Sequence, residues 1–86
     1  MTPTSFTFNV TVPRDAQLAE VLRELAEHAV QYAEIDDTMG MGFVDRVGAL
    51  AKRRLAAGGG ASCVVVYGCE QGILHVTVDG ETIKSN

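Results

Sequence analysis

Eighty-six residues, 47% of them hydrophobic and 21% charged, describe one small globular α+β domain over 1–86, with no length left for a second. The longest unbroken apolar run, Cys63 to Tyr67, falls far short of the ~20 residues a membrane-spanning helix requires. Met1 to Ser5 has neither the basic start nor the apolar stretch of a secretory leader, so a cytoplasmic protein is expected.

Ser5 to Val12 alternates, with Phe6, Phe8, Val10 and Val12 on one side and Thr7, Asn9 and Thr11 on the other. That period of two predicts a half-buried strand, which Pro13 ends because it has no N–H for a ladder. Asp15 is a candidate N-cap for a helix whose apolar stripe is Leu18, Val21, Leu22, Leu25, Ala29 and Tyr32. Residues 34 to 42 hold caps and breakers and are expected to connect this helix to a second one. The second runs from about Phe43 to Ala57, with Phe43, Val47, Leu50, Ala51 and Leu55 inward and Gly58-Gly59-Gly60 as its stop.

Cys63 to Tyr67 reads as a strand, Gly68 to Gly72 as a turn and Ile73 to Val78 as the return strand. Asp79-Gly80 is a type I′ turn signal, with Glu81 to Lys84 a candidate short last strand. The expected fold is therefore α+β in the order β-α-α-β-β: a three- to four-stranded sheet with both helices on one face, packed against Phe6, Phe8, Val10, Leu74, Val76 and Val78.

Catalytic and cofactor signatures are absent from the sequence. His28, at the edge of the first helix stripe, and His75, on the outward side of the return strand, have no nucleophile at a recognisable spacing. Met39-Gly-Met-Gly42 lacks the third glycine of a dinucleotide fingerprint, and Gly58-Gly59-Gly60 lacks the Gly-Lys-Ser/Thr ending of a P-loop. Cys63 and Cys69 lie about 20 Å apart on one strand at ~3.3 Å per residue, too far to bridge, and a lone Cys-x₅-Cys is no zinc signature. A non-enzyme without metal or cofactor is expected, its cysteines serving as buried apolar groups.

Two surfaces remain as candidates. The strand at 63–67 is apolar at every position, and an all-apolar strand wants both faces covered, yet the chain has only two helices. One register leaves Cys63, Val65 and Tyr67 uncovered, the other Val64 and Val66. The first, joined by Ile73, is taken as the expected interface for a protein partner or a second copy, through the sheet face or edge to edge across a twofold axis. The second candidate is the basic group Arg46, Lys52, Arg53 and Arg54, as a nucleic-acid patch. A net charge of −4 and a pI near 4.9 speak against it, and cations at a helix C-terminus are favoured by the dipole alone.

Phe8-Asn-Val-Thr-Val-Pro13, the long helix ending in Tyr32, the second helix and Val64 to Gly80 resemble the N-terminal part of anti-sigma-factor serine kinases of the histidine-kinase-like ATPase (GHKL) fold. The resemblance covers most of this chain and about half of such a domain. It implies a regulatory protein that acts on a protein partner. That family carries a glutamate and an asparagine four apart on the second helix for water activation and metal binding. Here the helix offers Asp45 with Ala49 or Arg46 with Leu50, and Glu81 stands where the first glycine of an Asp-x-Gly-x-Gly beginning at Asp79 is required. The resemblance therefore implies a degenerate relative without ATP binding. The element order also resembles the start of a KH domain, but Gly40-Met41-Gly42 is not that family's Gly-x-x-Gly loop.

Overall fold

The computed structural model describes residues 5–57 and 60–85, apart from the side chain of Asp37. Met1 to Thr4 of the expected non-secretory start, Gly58 and Gly59 of the expected helix stop, and Asn86 lie outside the described residues.

Strand β1 (Phe6–Pro13) is followed by a single 3₁₀ turn (Ala16–Leu18), helix α1 (Ala19–Tyr32), helix α2 (Asp37–Ala56), and three strands, β2 (Ser62–Glu70), β3 (Ile73–Val78) and β4 (Glu81–Lys84). The sheet is antiparallel throughout, in the order β1-β2-β3-β4. This corrects the expected β-α-α-β-β order, because Glu81–Lys84 is a full member of the sheet and three strands follow the helices. The turns explain it. Gln71-Gly72 and Asp79-Gly80 all have positive φ, the backbone that a two-residue type I′ hairpin needs, so each strand leads directly into the next.

Two other boundaries move. Gly68 to Glu70 belong to β2, not to a turn. Gly68 lies opposite His75, whose imidazole occupies the space a Cβ would take, so a larger residue there would have to push that ring aside. Helix α2 begins at Asp37, well before Phe43, with the Asp36 carboxylate accepting from the Thr38 N–H at 2.9 Å. Met39-Gly-Met-Gly42 is therefore helix, despite the propensity cost of glycine. At Gly40 close packing outweighs that cost: a Cβ there would stand 2.5 Å from Val30 Cγ1, so the glycine is what lets α2 approach α1.

Asp15 does cap, but it caps the 3₁₀ turn, accepting from Gln17 N–H. The core lies between sheet and helices: Leu22, Ala26, Phe43, Val47, Ala51 and Leu55 from above, Cys63, Val65, Tyr67, Cys69, Leu74, Val76 and Val78 from below. Both cysteines are free and buried. Burial pushes each thiol up from its ordinary value; at Cys63 Asp79 adds to the shift while Arg14 and Arg54 oppose it, and at Cys69 a backbone hydrogen bond from Gly72 opposes it. Among the described residues no helix is long and apolar enough to cross a membrane.

Candidate interaction surface

Pairing with β1 and β3 fixes which face of β2 is covered. Cys63, Val65 and Tyr67 are fully buried under the helices, so three of the four residues expected at an interface are core and cannot be offered to a partner. Only Ile73 points to the outer face, where it is half-buried. That face carries Val64, Val66, His75 and Thr77 beside Thr7, Asn9 and Thr11, and Thr77 and Thr82 share a hydroxyl hydrogen bond at 2.7 Å. It is a mixed surface of threonine and valine, not an apolar sheet face.

The basic group is dispersed in a similar way. Arg53 and Arg54 both bind the Glu81 carboxylate at 2.7 Å. Arg46 donates to the Lys84 carbonyl at 3.0 Å and lies over the Phe43 ring, which leaves Lys52 apart as an exposed cation. These contacts tie α2 to β4. Burial works to raise the Glu81 carboxyl, but the hydrogen bonds and charges of Arg53 and Arg54 outweigh it and hold Glu81 below its ordinary value. A carboxyl lowered on folding contributes stability above its unfolded value of about 4.3, and that contribution is lost as pH falls through the folded value. Melting curves between pH 7 and pH 2 are thus expected to show a loss on acidification that is smaller in Glu81→Gln; an identical acid profile would mean that the two arginines do not hold Glu81.

Two edges close the sheet, and they differ. Strand β4 is four residues long, carries Glu81 and Lys84, and has its last carbonyl held by Arg46. Strand β1 is eight residues long, Phe-Thr-Phe-Asn-Val-Thr-Val-Pro, with no charge, and among the described residues no strand pairs with its outer edge. Charge, shortness and cover are the usual means of keeping an edge from pairing. Strand β1 has neither charge nor shortness, and only the proline at its end interrupts its edge.

The helix-side face of β1 is only partly covered. Helix α1 makes its close backbone approaches to the sheet at β3, two strands in from the edge, and the Tyr67 hydroxyl of β2 reaches up to donate to the Leu22 carbonyl at 2.9 Å. Phe6, Val10 and Val12 are consequently half-buried, and Phe8 is 39% exposed. This corrects the expectation that the helices cover Phe6, Phe8 and Val10 as they cover Leu74, Val76 and Val78. An apolar groove of about 420 Å³ runs between β1 and α1, lined mainly by Phe6, Phe8, Leu25, Ala29 and Tyr32, with His28 at its side. Its aromatic rings are organised: Phe8 stacks on Tyr67 at 4.9 Å and Tyr32 meets Phe6 edge-on at 5.3 Å. Two residues of the expected helix stripe, Val21 and Tyr32, are 46% and 69% exposed on this flank. The stripe is wider than the sheet beneath α1 can bury.

Among the described residues no group of three or more His, Cys, Asp or Glu side chains could hold a metal ion. Compared with known protein families, with curated proteins and with solved structures, the chain finds no match.

Proposed function

We propose that this protein is a non-enzymatic protein-interaction module of the cytoplasm, and that it takes a polypeptide strand on the free edge of β1. The observation that carries this reading is the combination of an uncharged eight-residue edge with an uncovered aromatic groove beside it. Edge addition is a common mode of strand recognition: main-chain hydrogen bonds give affinity, and pockets for alternate side chains give selectivity. Here the groove receives the side chains on the helix side. A regulatory role of anti-sigma type, exerted by contact without ATP, is part of the same proposal. Nucleic acid has less support, since Arg53 and Arg54 are both engaged by Glu81.

The test is a photo-crosslinking phenylalanine analogue placed at Tyr32, at Val64 on the outer sheet face, or at Met41 on α2, with irradiation in cells that express the protein. Polypeptide adducts are expected at Tyr32 and not at the other two positions. Adducts spread evenly over all three, or found at none, would remove the β1 edge as the working surface.

A further inference from the structure

We infer that the strand taken by β1 is the β1 of a second copy, joined antiparallel with Asn9 on the twofold axis; this rests on the interaction reading above and names its partner. The argument starts from parity. Residues directly opposite in an antiparallel pair point to the same face of the sheet. If two β1 strands pair so that opposing residue numbers sum to an even value, Phe6, Phe8, Val10 and Val12 of both copies share one face and both helical layers stand on it. An odd sum sets Phe8 opposite Asn9 and puts the two helical layers on opposite faces, which leaves both grooves open.

Among even sums, pairing around Asn9 engages Phe6 through Val12 of each strand without using Pro13. Pairing around Phe8 shortens the ladder to residues 6–10, and pairing around Val10 brings in Pro13, which has no N–H to donate. In the Asn9-centred register Phe8 meets Val10, Phe6 meets Val12 and Thr7 meets Thr11. These are aromatic with β-branched pairs inside and threonine pairs outside, the kinds that favour strand pairing. No like charges meet, because β1 has none. The surface is self-complementary, as an isologous twofold interface must be.

The α1 flank agrees. Val21, Leu25, His28 and Tyr32 recur at i, i+4, i+7 and i+11, one row along the groove side of the helix. After pairing, the two rows face each other across a shared floor. Phe6 and Phe8 of both copies form that floor, and Tyr32 of each copy stands at its rim.

Three measurements test the pairing. The purified protein is expected to sediment as two chains, twice 9.2 kDa, at tens of micromolar. Mild oxidation is expected to give a covalent dimer from Asn9→Cys, which meets itself on the axis, and not from Thr7→Cys or Thr11→Cys alone; the native thiols are buried and silent. Thr7→Lys with Thr11→Lys opposes like charges twice and is expected to weaken the dimer at least tenfold, whereas Thr7→Lys with Thr11→Glu opposes unlike charges and is expected to keep it. Both positions are exposed and face Gly68 and Val64 on β2, so circular dichroism of each variant is expected to match the parent. A dimer indifferent to the lysine pair, or one that crosslinks at Thr7 and not at Asn9, would overturn the register. A single-chain mass at 100 µM would overturn the second copy. If Tyr32 then crosslinks to polypeptides of other masses, the interaction reading stands without self-pairing; if it crosslinks to nothing, both fall.

Discussion

Val65→Glu is expected to abolish most or all of the cooperative thermal transition, while Val64→Glu melts within a few degrees of the parent. The two positions are adjacent and chemically identical, and they differ only in the face they take. Val65 is fully buried between Val10 and Val78 beneath the helices, whereas Val64 is 50% exposed on the outer face opposite Thr11. At position 65 the change removes a buried valine, about 1.5–3 kcal/mol, and leaves an unpaired carboxylate in the core, about 3–5 kcal/mol more. A domain of this length has roughly 4–13 kcal/mol in total. At position 64 the change is that of an ordinary surface site, within about 0.5 kcal/mol, or about 4 °C. Circular dichroism melts of the two variants decide it. Equal melting would mean that the strand sits in the opposite register, with Val64 in the core.

That contrast also marks how far the sequence could be read. Strands β1 and β3 were legible because polar residues alternate with apolar ones, so the inward set names itself. In Cys63 to Tyr67 nothing alternates, and the choice between the two faces is made elsewhere, by pairing with Val10 and Phe8 on one side and Val76 and Val78 on the other. The expected interface of Cys63, Val65 and Tyr67 failed for that reason. The start of α2 was hidden because glycine in a helix scores as a breaker, and the reason for Gly40 is the side chain of Val30, distant in sequence. The better candidate surface was partly visible: an uncharged strand beginning the chain and a helix stripe extending to Tyr32. Its significance depended on sheet order. Only with β1 at the edge and α1 set inward of it, against β2 and β3, do Phe8, Val21 and Tyr32 become surface instead of core.

Tyr67 joins the groove to the core, and its replacement by alanine is expected to cost about 3–5 kcal/mol, the usual range for removing a buried aromatic side chain. The ring is fully buried, stacks on Phe8 of β1, and ends in a hydroxyl that donates to the Leu22 carbonyl on α1, so one side chain connects edge strand, central strand and helix. Tyr67→Phe separates the parts. It keeps the stacking and loses the hydrogen bond, for about 1 kcal/mol at neutral pH. It also changes the alkaline limb. Burial raises the Tyr67 phenol above its ordinary value. An acid whose folded value is raised contributes stability below its unfolded value of about 10, and that contribution is lost as pH climbs toward the folded value, because the unfolded chain releases the proton first. The buried thiols of Cys63 and Cys69 follow the same sign from about pH 8.5, so the decline in stability starts there in parent and variant alike. Above pH 10 the two curves are expected to converge, the parent falling more steeply than Tyr67→Phe. Urea unfolding at pH 7, 9 and 10.5 measures the difference at each step, and a gap that stays constant through pH 10.5 would mean that the hydroxyl is not buried against Leu22.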